Sequence, residues 1–188
     1  MPVPDAAPPP QPELAPELAA RIDAVIRRGE AAWDDLHDAS NARFHDLVLS
    51  DHRAAVPWLV HLHAPGARLV ELGSGVGLMT ILADLLGYEA VGIEIEPDLV
   101  EVSRDLAAGA GSQATFVEGS FVPPEARDEV HLLDADTLTV TEGADAWSEL
   151  GLDMDDFDVV STYPWPDQEA WLVDLVRCHA APHATLLT

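Results

Sequence analysis

The stretch RLVELGSGVGLMTIL, from Arg68 to Leu82, decides the fold. Leu69, Val70 and Leu72 read as a short buried strand. Gly73, Gly75 and Gly77 then alternate through an abrupt turn. Beyond it Leu78, Ile81, Leu82 and Leu85 recur at helical spacing on one face. Glycine suits such a turn because a backbone without Cβ takes positive φ and lets a ligand come close. The helix after the turn points its first N–H groups at whatever lies there.

Two cofactor classes use a strand–turn–helix of this kind, and spacing separates them. The dinucleotide fingerprint places glycine at the first, third and sixth positions of the turn. Counted from Gly73 the sixth position is Leu78, and counted from Gly75 it is Thr80, so neither register fits. The next segment is YEAVGIEIEPDLVEVSR. There Val91, Ile93 and Ile95 alternate in a second strand, and Pro97 falls where a first helical residue is favoured. Glu94 follows Gly77 by 17 residues, close to the separation at which an acid accepts hydrogen bonds from ribose hydroxyls.

The pattern Glu71-x-Gly73-x-Gly75-x-Gly77, followed by Glu94, resembles motif I and the second strand of the class I S-adenosylmethionine-dependent methyltransferases. The resemblance covers about Arg68 to Thr188. It implies a three-layer, Rossmann-like α/β domain with a mostly parallel sheet, binding S-adenosylmethionine. It places the amino-acid end of that cofactor over Glu71, Gly73, Ser74, Gly75 and Gly77, its ribose on Glu94 and its adenine beside Ile95. ELGSGVG with GIEIE also looks somewhat like a family of histone-lysine methyltransferases, but the Asn-Asn-Phe of that family after the fourth strand is absent.

Composition bounds the partners. The 188 residues suffice for one domain with a sizeable core. The formal net charge is −25, and every basic residue is arginine. That balance repels phosphate backbones, so nucleic acid is disfavoured as the acceptor and a small molecule or a protein is favoured. Without lysine there is no Schiff-base chemistry and no phosphate-binding loop ending in Gly-Lys-Ser/Thr. The single cysteine, Cys178, cannot form an internal disulfide, which fits a reducing cytoplasm. No basic-then-apolar leader and no long apolar run is present, so a cytoplasmic protein without a membrane span is expected.

Taken in order, residues 1–12 carry six prolines and little to bury, and read as a disordered tail. Residues 13–66 form an N-terminal helical segment, and 67–188 the cofactor-binding domain. Leu18, Ile22, Val25, Ile26, Trp33 and Leu36 share a helical stripe, with a break expected at Gly29. Phe44, Leu47 and Val48 suggest a second helix, and a third is expected from about Ala55 to His63. The histidines at 37, 45, 52, 61 and 63 lack the spacing of a metal pair, and no metal is expected.

A third strand ends at Glu118-Gly119-Ser120-Phe121. The resemblance implies an adenine contact at Gly119 and Ser120. Ser120 stands where many relatives carry aspartate, so the contact shifts toward Glu118 or backbone. The acid-rich residues 122–156 should include a helix around Ala144 to Leu150. Within them, DMDDFD fails as a calcium loop because Phe157 and Asp158 take the fifth and sixth positions.

Phe157, Val159 and Val160 form a fourth strand running into Thr162-Tyr163-Pro164-Trp165, where amine-directed methyltransferases carry Asn/Asp-Pro-Pro-aromatic. The resemblance implies Thr162 beside the cofactor and Tyr163 and Trp165 toward the acceptor. Tyr163 and Asp167 are the candidate bases by position. A helix over Glu169 to His179 and a fifth strand, ATLLT, complete the expectation. Two further strands of the usual fold are missing, as in a minimal member, a truncated gene or a fragment. A non-catalytic, cofactor-binding module is the rival reading.

Overall fold

The computed structural model describes residues 8–39, 49–127, 143–164 and 168–188. Five strands form one sheet in the order β3-β2-β1-β4-β5. These are β1 (Arg68–Leu72), β2 (Glu89–Glu94), β3 (Thr115–Glu118), β4 (Val159–Thr162) and β5 (Thr185–Leu187), and every pairing is parallel. The sheet is therefore wholly parallel. Parallel strands need crossovers that cover both faces, and the strands are apolar on both sides accordingly. Leu69 points into one core, while Val70 and Leu72 point into the other.

Four helices cover the first face: α1 (Pro16–Ala39), α2 (His52–Leu62), α3 (Leu78–Leu85) and α4 (Pro97–Ala110). Among the described residues two cover the second: α5 (Ala146–Leu150) and α6 (Glu169–His179), together with short 3-10 turns at Pro124–Ala126 and Met154–Asp156. The result is the expected three-layer α/β architecture.

The stripe of α1 continues through Gly29 without the expected break. Gly29 is buried against Leu78, and a Cβ there would overlap the leucine side chain. Glycine thus marks a close helix–helix contact, not a helix end. Arg21 anchors the same helix: its guanidinium donates to the carbonyls of Ala110 (2.6 and 2.9 Å) and Gly111 (2.8 Å). The C-terminus of a helix carries unpaired carbonyls and partial negative charge, which a cation satisfies.

Helix α2 begins at His52, three residues earlier than expected, because Asp51 accepts from Ala54 N (3.0 Å) and caps it. Pro57 lies inside that helix and is buried. DMDDFD forms a capped turn in which the Asp153 and Asp156 side chains each bond the other's backbone N–H. The proposed helix at Phe44, Leu47 and Val48 lies outside the described residues. Among those described, no helix is long and apolar enough to cross a membrane, and no cluster of three metal-ligating side chains occurs.

Candidate functional site

Strand order reverses between β1 and β4: the chain winds outward through β2 and β3, then returns to the centre for β4 and β5. In an open α/β sheet the crevice at such a reversal, beyond the carboxyl ends of the strands, is where ligands bind. The turn Gly73–Gly77 leaves β1 there. The N–H groups of Gly73 and Ser74 both donate to Ile93 O (2.9 Å each), and Gly77 N–H donates to Ser74 O (2.7 Å).

All three glycines have positive φ, at 72°, 54° and 76°, but their surroundings differ. A Cβ on Gly75 would meet nothing within 4 Å, and one on Gly73 only Phe121 at 3.9 Å. A Cβ on Gly77 would lie 2.5 Å from the Phe116 ring and 2.9 Å from Ser103. The first two glycines face open space where a ligand could lie, while the third lets helix and sheet pack. Ser74 is buried, its hydroxyl without a hydrogen-bond partner among the described residues.

Two carboxyl groups flank the turn. Glu94 Oε2 accepts from Gly75 N (2.8 Å), and Oε1 accepts from Ile95 N (2.8 Å) and Glu96 N (3.0 Å). Three of a carboxylate's roughly four acceptor positions are therefore filled by backbone, leaving one on Oε2. Burial pushes the Glu94 pKa up, against the pull of those N–H groups. Glu71 is held by Thr80, whose N–H (3.0 Å) and hydroxyl (2.5 Å) both donate to Oε2. Its pKa is pushed up to about 8, chiefly by burial and further by the charge of Glu94, with the Thr80 bonds opposing. Thr80 thus fixes the start of α3 to the end of β1, a link that sequence spacing did not reveal.

Beyond β2 and β3, Gly119 N–H donates to Glu94 O (2.8 Å), and Ser120 forms an isolated bridge with Asp145. Ser120 is buried, and its hydroxyl accepts from Val122 N (3.2 Å), so it points into its own loop. Ile95 lies beside Gly143, where a Cβ would approach Ile95 Cδ1 to 3.1 Å. The segment Gly143–Ala146 therefore borders the expected adenine side. Its sequence signal is Asp145, which caps α5 by accepting from Trp147 N and Ser148 N.

At the other side of the crevice Thr162 pairs with Leu72, and its hydroxyl donates to Leu72 O (3.2 Å). Tyr163 follows and is 60% exposed. Trp165 and Asp167 lie outside the described residues. The structure thus gathers Glu71, Gly73, Gly75, Gly77, Glu94 and Ile95 around one turn, with Gly119, Ser120 and Thr162 at the ends of neighbouring strands.

No family model matches the chain. Curated relatives are methyltransferases. The ribosomal protein L11 methyltransferase of Ralstonia pickettii is 40% identical over 77 residues, covering 37% of this chain and 26% of that protein. That of Thermus thermophilus is 30% identical over 102 residues, covering 54% and 35%. The release factor glutamine methyltransferase of Deinococcus radiodurans is 30% identical over 124 residues, covering 58% and 45%. The chain therefore spans less than half the length of each. Among solved structures, an O-methyltransferase from Bacillus cereus bound to S-adenosylhomocysteine superposes with a TM-score of 0.53 at 13% identity, over 89% of this chain and 64% of that one. An S-adenosylmethionine-dependent methyltransferase from Agrobacterium tumefaciens gives 0.50 at 13% identity, over 74% and 44%.

Proposed function

We propose, for a chain with the Rossmann-like fold of the class I S-adenosylmethionine-dependent methyltransferases, that it binds S-adenosylmethionine at the Gly73–Gly77 turn and serves methyl transfer to a protein or small-molecule acceptor. The observation that carries this reading is the turn itself. Gly73 and Gly75 face open space at the reversal of strand order, with the Glu71 and Glu94 carboxyl groups beside them. The curated relatives add that similar sequences occur in methyltransferases, two of those described acting on ribosomal protein L11 and one on a release factor.

The residues present fit such a cofactor. Glu71 Oε1 receives no hydrogen bond among the described residues, and its carboxyl would ionise and hold a cationic amino group once that charge arrived. The remaining acceptor position on Glu94 Oε2 suits one ribose hydroxyl. Ile95 gives an apolar edge for a purine. When bound, the cofactor supplies a methyl group activated by a positive sulfur. The chain's own task is alignment and removal of a proton where the nucleophile carries one. Tyr163, exposed beside Thr162 at the crevice, would contact the acceptor in this reading, with Trp165 and Asp167 following it in sequence.

The acceptor is read as protein or small molecule because of charge. Of nine arginines, six are tied by hydrogen bonds within the fold: Arg21, Arg53, Arg68, Arg104, Arg127 and Arg177. Little basic surface remains for a phosphate backbone.

A second reading, a cofactor-binding module without catalysis, is favoured by one observation. Thr162 spends its hydroxyl on Leu72, and no amide or carboxylate stands at that position to hold an amine. Incubation of the purified protein with methyl-labelled cofactor and a cell lysate tests the choice. Label in protein or small-molecule fractions that survives nuclease is expected. Label lost to nuclease would overturn the acceptor class, and cofactor binding without any transfer would favour the module.

A further inference from the structure

We propose that Ser103 is a positioning residue for the glycine turn, holding the Gly75 peptide in the conformation that receives the amino-acid end of the cofactor. The inference rests on the cofactor reading above. Ser103 lies in the middle of α4 on the buried stripe of Leu99, Val100, Leu106 and Ala107, and is itself 0% exposed. A hydroxyl in such surroundings is costly unless it is hydrogen-bonded. A mid-helix serine commonly satisfies itself on the carbonyl one turn back, and Ser103 Oγ is indeed 2.8 Å from Leu99 O. It is also 2.9 Å from Gly75 O, 28 residues away in the chain. One proton is therefore shared between the helix and the turn.

Gly75 is gripped from its other side as well, since its N–H donates to Glu94 Oε2. Both hydrogen-bonding groups of one glycine are thus held by side chains, one from the end of β2 and one from α4. This glycine has a φ of 54° and faces open space, so no packing against a side chain fixes it. Glycine also loses the most conformational freedom on being ordered. A turn clamped in advance spares that cost when a ligand binds. Glu94 and Ser103 differ in what else they do. Glu94 keeps an acceptor position for the ligand, whereas Ser103 sits behind the turn, hydrogen-bonded to Gly75 and packed beside Gly77, and can act only through the turn.

Ser103→Ala and the near-isosteric Ser103→Cys, a poor donor, test the role; the cysteine variant carries the test should alanine impair folding. S-adenosylhomocysteine is compared with adenosine, which lacks the amino-acid end, by titration of the full chain. The expected result is an affinity for S-adenosylhomocysteine lower by about tenfold, the order of one lost hydrogen bond, with adenosine within about twofold of wild type. In the ligand-free protein the Gly77 amide, bonded to Ser74 O across the turn, should exchange its hydrogen faster by about tenfold while amides of β1 do not. Equal weakening of both ligands would make Ser103 merely structural, and unchanged affinity and exchange would end the proposal. Failure of the wild-type chain to bind S-adenosylhomocysteine would instead bring down the cofactor reading, and this inference with it.

Discussion

The three glycines of one turn do different work, and alanine separates them. At Gly75 a Cβ meets nothing, so Gly75→Ala should cost about 1–2 kcal/mol of stability, the penalty for a side chain at positive φ. The same Cβ would stand where the cofactor approaches, and binding should fall at least about tenfold. At Gly77 the positive-φ penalty is joined by overlap with Phe116 and Ser103, so Gly77→Ala should cost about 2–5 kcal/mol. Denaturant unfolding beside cofactor titration distinguishes them, and equal stability losses would contradict the division. Glu71 adds a pH signature. Its folded pKa of about 8 lies above the ordinary glutamate value of 4.5, so the folded state keeps a proton that the unfolded chain has released. The stability linked to that group is complete below about pH 4.5 and declines as pH rises to about 8, flattening beyond. Glu71→Gln, neutral throughout, should remove this decline between pH 5 and 8, measured by unfolding across about that range. A variant whose pH profile parallels the wild type would refute the assignment.

At the scale of elements, α1 and α3 are joined through Gly29, which sits on Leu78, the first residue after the glycine turn. Leu78 is 1% exposed and has no room to swing aside. Gly29→Ala should therefore destabilise by about 1–3 kcal/mol through overpacking, although alanine is the better helix former by about 1 kcal/mol. A rise in melting temperature would show that the helices can part freely. The same glycine shows where sequence reading stopped. Strands and helices that bury a regular stripe, such as α6 or β1, were legible because their periodicity is written in apolar residues. Gly29 was read as a break because propensity is local, whereas the leucine that requires a glycine lies 49 positions further along. In the candidate site, the glycines and Glu94 were legible from spacing alone. Thr80 and Ser103 were not: each is a small polar residue inside an apolar helical face, and its partner appears only when the chain is folded. Ser120 likewise gained a local partner that spacing did not show, its hydroxyl accepting from Val122 N–H.

For the whole molecule, the parallel sheet and its two buried faces are common to many α/β proteins, and the fold alone does not choose a ligand. The proposed choice rests on the spacing of Glu71, Gly73, Gly75 and Gly77, set at the reversal of strand order with Glu94 behind them. The charge of −25 bears on partners more than on fold, and the proposed protein or small-molecule acceptor rests on it. A dinucleotide carries two phosphates into the same turn, where the Glu94 carboxyl would oppose them, whereas S-adenosylhomocysteine brings an ammonium group beside which Glu71 would ionise. Calorimetric titration of the chain with S-adenosylhomocysteine and, separately, with NAD tests this most directly. The account predicts saturable binding of S-adenosylhomocysteine, at least about tenfold tighter than NAD, a difference of about 1.4 kcal/mol or more. Tighter binding of NAD, or no binding of the sulfur cofactor, would contradict it.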